Sequence, residues 1–203
     1  GIPLINLVAQ DQEERVTAVV ATPGFTNDVM LLATGKGEIK KTALSDFAVV
    51  RRSGLIAMGL EVGDELIAAR LANESDDVLL VTSWGQAIRF PVRSLRRASR
   101  SSGGVRGIKL GGQEDAVVGV VSAPPDTRVE VLVVTENGLG KRTLLSQYPS
   151  HRRGGQGVST YKITDKTGRV VAARKVSGDE ELMIISAGGI VLRTSVESIA
   201  LLG

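Results

Sequence analysis

Four stretches of the chain share one hydrophobic pattern: a run rich in Val, Leu and Ile, a tight polar turn containing Gly, and a second run in which apolar and polar residues alternate. They are VMLLATGKGEIKKTALSDF from Val29, VLLVTSWGQAIRFPVRSL from Val78, VLVVTENGLGKRTLLSQY from Val131 and LMIISAGGIVLRTSVESI from Leu182. Alternation with a period of two marks a strand with one buried face, and Gly between two such runs supplies the positive φ of a hairpin turn. The turn glycines, Gly37, Gly85, Gly138 and Gly189, are spaced by 48, 53 and 51 residues. A period of that size marks a repeat architecture. Four residues after each glycine stands a base: Lys41, Arg89, Arg142 and Arg193.

A second module follows each of the first three hairpins, beginning at Gly54, Gly107 and Gly157, and a fourth copy opens the chain at Gly1 with no hairpin before it. Each reads as two short apolar strands around a polar turn. Helical periodicity is nearly absent; the most helix-like passage is LSDFAVVRRSG, from Leu44. The pattern predicts an all-β repeat domain over residues 1–203, built of four-stranded units. Its divisions are a half unit at about 1–28, then 29–77, 78–130 and 131–181, and a complementary half unit at 182–203. A radial arrangement would pair the two ends and remove open sheet edges.

Composition narrows the function. A chain of 203 residues with 42% hydrophobic content can bury a proper core, and no apolar run approaches the ~20 residues of a membrane span. With no Cys and one His there is no disulfide, thiolate nucleophile or Cys/His metal cluster to consider, which fits a reducing, cytoplasmic setting. Gly1 stands where an initiator Met would, so the chain is expected to begin inside a longer protein. The net charge is only +3, but it is segregated: seven bases and no acid lie between Arg89 and Lys109, five bases and no acid between Lys141 and Lys162.

Those basic blocks include two of the three connectors between hairpin and second module, RRASRSSGGVRG at 96–107 and SHRRGGQG at 150–157; the first connector, RRSG at 51–54, carries an Arg pair of its own. One Arg/Gly connector is ordinarily a solvated loop. Three in equivalent places, each apart from the acids, favour a polyanion-binding surface, with small residues allowing close backbone approach and Arg offering forked donors. Aromatics make up 3% of the chain, too few for base-stacking platforms, so duplex DNA is the better partner. NGLGKRT at 137–143 lacks the first Gly and the Ser/Thr of a phosphate-binding loop and precedes no helix. His151 has no nucleophile nearby and reads as a phosphate contact or loop residue. Trp84 reads as packing and Tyr148 as an anchor for its connector; Tyr161 suits either side of a strand. No catalytic, cofactor or metal site is evident.

The hairpins TGKGEIKKTAL and TENGLGKRTLLSQYP, the connector GGVRGIKLGGQEDAVVGV and the modules EVGDELIAA and NLVAQDQEERVTAVV closely resemble the carboxy-terminal domain of the DNA gyrase A proteins, over essentially the whole chain. The resemblance implies a β-pinwheel, a propeller-like disc whose blades exchange strands and around whose basic rim duplex DNA is wrapped without marked sequence preference. It implies a part of an ATP-dependent type IIA topoisomerase, inert alone, whose partners are the rest of the gyrase A polypeptide, the gyrase B polypeptide and DNA, in a bacterial, nucleoid-associated setting. HRRGGQG, with His151, Arg152, Arg153, Gly154, Gly155, Gln156 and Gly157, resembles the family's gyrase A-box. The usual box starts with Gln, carries a base where Gln156 stands and lies in the first blade; here it follows the third hairpin, as a main or an auxiliary box.

On this reading the DNA-contacting set is Lys40, Lys41, Arg89, Lys141, Arg142 and Arg193 from the hairpins, and Arg51, Arg52, Arg93, Arg96, Arg97, Arg100, Arg106, Lys109 and the box from the connectors and their flanks. The rival readings are the corresponding domain of topoisomerase IV, a protein-interaction propeller with solubilising basic loops, and an RNA-binding Arg/Gly protein.

Overall fold

A computed structural model describes residues 15–25, 28–49, 54–125 and 128–203. All four expected hairpins form. They are β1 (Val29–Thr34) with β2 (Glu38–Ala43), β4 (Asp77–Thr82) with β5 (Gln86–Pro91), β8 (Glu130–Thr135) with β9 (Gly140–Leu144), and β12 (Glu181–Ile185) with β13 (Val191–Ser195). Each of the first three receives a strand from the module that follows it: β3 (Leu66–Ala72), β7 (Val117–Ala123) and β11 (Val170–Val176) pair antiparallel with β1, β4 and β8. The register shifts near the turn end of each of these pairings, at Ala33/Thr34, Val81/Thr82 and Val170/Ala172. A bulge repeated in one place gives each unit the same local twist.

The strands at the head of the second and third modules carry the exchange that the resemblance implied and the hairpin pattern alone did not. They do not pair within their own units but cross back to the preceding ones. β6 (Val105–Arg106) pairs with β2, and β10 (Val158–Ser159) with β5. The amides of Gly107 and Ile108 then converge on the Gly37 carbonyl, and those of Thr160 and Tyr161 on that of Gly85. Strand order is therefore β3-β1-β2-β6 in one sheet and β10-β5-β4-β7-β11-β8-β9 in the next, where β7 and β11 touch in parallel. This is strand exchange between neighbouring blades.

The core follows from these pairings. β4 has a partner on each side, and all six of its residues are buried. One apolar cluster joins Val29, Leu31 and Ile39 to Val78, Leu80 and Phe90 across the first two units; a second joins Leu79 and Val81 to Val131, Val133 and Leu145 across the next two. The helix-like passage at Leu44 is a short 3-10 turn, Leu44–Phe47, and it recurs after every hairpin at Val92–Ser94, Leu145–Gln147 and Val196–Ser198. Pairing of the two ends is not found among the described residues, since β12 and β13 form a two-stranded sheet of their own; residues 1–14 of the opening module lie outside those described.

Gly85 and Gly138 occupy equivalent turns with φ of 75° and 76°, yet a Cβ on Gly85 would lie 2.1 Å from the Tyr161 carbonyl oxygen while one on Gly138 would meet nothing within 4 Å. Gly138→Ala should cost about 1–2 kcal/mol, the strain of a left-handed L residue. Gly85→Ala should cost roughly 3 kcal/mol or more, because the returning connector must also be displaced. Urea unfolding midpoints of the two variants check this difference.

Candidate nucleic-acid interface

The repeated base of each of the first three hairpins is buried. Lys41, Arg89 and Arg142 are 3%, 9% and 8% exposed. Arg89 Nε donates to Asp77 at 2.6 Å, and its Nη1 to the carbonyls of Leu145 and Tyr148 at 3.0 and 3.1 Å. Arg142 repeats this with Glu130 at 2.5 Å and the carbonyls of Ile199 and Glu197. Lys41 bonds Glu74 at 2.6 Å and the Val92 carbonyl. The Lys41 ammonium, with Arg97 adding a second bond, holds the Glu74 carboxyl below its ordinary range. The carbonyls in every case belong to the 3-10 turn of the next unit or the residues flanking it.

The base is thus a latch between units, with its donors directed at protein oxygens. Arg193, in the last unit, is exposed and among the described residues bonds only Glu181. A signal for this role was present: Asp77, Glu130 and Glu181 each stand twelve residues before their Arg. In the first unit that place is held by Val29, and Glu74 substitutes from the β3–β4 link.

The latch also positions the connectors. The carbonyls of Lys41, Arg89 and Arg142 accept from the amides of Ala98, His151 and Leu202, which makes those three residues equivalent. At the far end β6 and β10 are equivalent, as are Gly107 and Thr160. Seven residues lie between the anchor amide and the returning strand in both, so Ala98–Gly104 occupies the place of His151–Gly157, residue for residue. The Arg pairs that match by eye, Arg96–Arg97 and Arg152–Arg153, are out of register by three; Arg100 is the true counterpart of Arg153, and Ser99 that of Arg152.

The two connectors are stitched together. Gly154 donates to the Gly107 carbonyl at 2.6 Å, Lys109 to that of Gly155 at 2.8 Å, and Arg153 Nη1 to that of Arg106 at 3.3 Å. Gly157, at φ 73°, passes so close that a Cβ would lie 2.1 Å from the Ala87 carbonyl oxygen. Tyr148 is buried, which raises its hydroxyl pKa, and its 2.6 Å bond to Thr160 ties the start of the box loop to its end. A cleft of about 120 Å³ brings Arg153 of the third unit beside Arg96 and Arg97 of the second. Trp84 packs over Gly111 and Gly112, and Tyr161 is half-buried in the second core cluster.

The predicted residues therefore divide. Arg93, Arg96, Arg106, Lys109, His151, Arg152, Arg153, Gly155 and Gln156 are exposed, and Arg100, Gly154 and Gly157 half-exposed. Among the described residues, none of the bases in this group forms an ion pair. Arg97 is exposed but shares Glu74 with Lys41. Lys41, Arg89 and Arg142 are consumed by the latch. Lys40 is 2% exposed and turned inward, and Lys141 is half-buried; burial lowers the pKa of both. Arg51 and Arg52 lie outside the described residues.

The sequence model of a family described as "DNA gyrase C-terminal domain, beta-propeller" matches residues 28–73, 76–124, 130–177 and 180–203, one match for each hairpin. This chain belongs to that family. It is similar to the DNA gyrase A protein of Dehalogenimonas lykanthroporepellens, with 47% identity over 97% of the chain and 24% of that protein, and so spans about a quarter of the length of such relatives. A solved structure of a DNA gyrase A C-terminal domain superposes with a TM-score of 0.86 at 29% identity, covering 98% of this chain and 67% of that one. The C-terminal domain of a DNA topoisomerase IV superposes at 0.90 but with 20% identity, which speaks to the β-pinwheel alone. Within the gyrase family fold, the latch sets the angle at which each blade meets the next.

Because Asp77 is buried beside Arg89, Arg89→Met strands a charge and should destabilise the chain by about 3–5 kcal/mol. Asp77→Asn added to it should recover part of that loss. Chemical unfolding of the single and double variants tests the coupling, and an Arg89 that served only as a surface contact would show none.

Proposed function

We propose that this domain binds duplex DNA along its stitched connectors and bends it, as the DNA-wrapping part of a gyrase A protein. The observation that carries the reading is the joining of the second and third connectors into one surface, where Arg96, Arg106, Lys109, Arg152 and Arg153 are exposed and without ion pairs to described residues. The contacts are to phosphates, so sequence preference is slight. Lys41, Arg89 and Arg142 serve to hold the blades rather than the DNA.

In the intact enzyme, with the remainder of the gyrase A polypeptide and with the gyrase B polypeptide, the bend sets the sense of the DNA crossing that strand passage converts to negative supercoils. Strand cleavage and ATP use belong to those other regions, in the bacterial cytoplasm. The 47% identity to a gyrase A protein and the box at His151–Gly157 favour gyrase over topoisomerase IV. Bending 20–30 base pairs by 40–90° costs on the order of 1–6 kcal/mol, which several charge contacts offset. With six to ten phosphates neutralised, affinity falls about 10³- to 10⁵-fold between 50 and 200 mM salt.

A duplex of roughly 40 base pairs labelled at both ends (~136 Å at 3.4 Å per pair) reports bending by energy transfer. The ends should approach on adding this chain. Arg152→Ala with Arg153→Ala should weaken that approach and lower the salt slope by about two. Straight, weak complexes with the unaltered chain would instead favour a protein-interaction propeller.

A further inference from the structure

Lys40 has no place in the wrapping scheme as a contact, yet its ammonium is fully engaged. Its three N–H bonds reach the carbonyls of Ser99, Arg100 and Ser102 at 3.1, 2.6 and 3.0 Å. All three belong to the connector that stands where the box stands in the next unit. The loop is held from a second side by Gly59, whose amide donates to the same Ser102 carbonyl, and by the close passage of Gly104 against Met58.

In a trans peptide the C=O and N–H point in opposite directions, and no cis peptide occurs here. Drawing the carbonyls of Ser99, Arg100 and Ser102 inward therefore turns the amides of Arg100, Ser101 and Gly103 outward. None of these three amides bonds to a described residue, whereas Ser102 N–H turns back to Ser99. The adjacent amides of Arg100 and Ser101, with that of Gly103 beyond the inward Ser102 amide, are donors left for an anion. Arg100 and Ser101 also line an open groove of about 700 Å³ whose other wall carries Asp46. In the box the equivalent of Lys40 is Ile88, over which Gly155 and Gly157 pass, and the Gly155 carbonyl is held by the Lys109 amide instead. The carbonyl of Ser102 and that of its counterpart Gly155 are thus each held, by different donors.

We propose that Lys40 is a positioning residue that builds a second phosphate seat, formed by the amides of Arg100, Ser101 and Gly103, for a phosphodiester oxygen of duplex DNA. It rests on the DNA-binding reading for its occupant, but not for its construction. The seat lies in the unit before the box, so a duplex following the stitched connectors meets both.

Two measurements test it on this chain. In amide NMR spectra of the unaltered chain, a short duplex should shift Arg100, Ser101 and Gly103, with millimolar inorganic phosphate shifting them more weakly. Shifts with inorganic phosphate but none with duplex would overturn the diester assignment. Lys40→Met removes the ammonium at similar volume: trypsin should then cut after Arg100 at least tenfold faster, and the salt slope for duplex binding should fall by about one although Lys40 cannot touch DNA. Unchanged cleavage would overturn the positioning role. Failure of the unaltered chain to bind duplex overturns the DNA reading and the occupant together, while binding that leaves the three amides unmoved overturns the seat alone.

Discussion

The arrangement of units depends on a buried cation shared between neighbours. Arg89 and Arg142 each satisfy an acid of their own hairpin and carbonyls beyond it, in the 3-10 turn of the next unit and its flank. A buried guanidinium must have its charge matched and its donors filled, so this side chain tolerates few relative placements of two blades. The same residue's backbone carbonyl takes the first amide of the next connector. Contact between units and connector register are thereby fixed at one position in each of the first three repeats, so two connectors with little sequence in common share a path between the same two anchors.

That path explains how a chain with a modest net charge can present a basic surface. Its acids are drawn inward or to turns: Asp77 and Glu130 into the latch, Asp115 onto the Ser83 hydroxyl and the amides of Trp84 and Gly111. Apart from Arg97, which pairs with Glu74, the described connector bases have no acid of the described residues in ion-pair reach. Stitching Gly154 to Gly107 and Lys109 to Gly155 then adds two modest local charges into one surface.

Much of the fold was legible in the sequence, because hairpins depend on local alternation and on glycines at positive φ, and Gly37, Gly85, Gly138 and Gly189 all adopt it. Strand exchange was legible only through the family resemblance, since β6 and β10 are two residues long and carry no periodicity of their own. The candidate site was legible as charge and misread as geometry. Arg89 in a basic block looks like a DNA contact until its strand face and the acid twelve residues earlier are considered together. The Arg pairs suggested a connector alignment that the backbone places three residues away. Lys40 was read as a DNA contact, because its partners are carbonyls some sixty residues on, and a backbone acceptor leaves no mark in a sequence.

Whether DNA lies on the connectors and not on the hairpin bases is tested by amide hydrogen exchange on this chain, with and without a duplex of about 40 base pairs. Slowed exchange is expected only at residues 98–109 and 151–157, with β5 and β9 around the Arg89 and Arg142 latches unchanged. Protection centred on the hairpins, with the connectors exchanging as fast as in the free chain, would contradict a connector-borne interface.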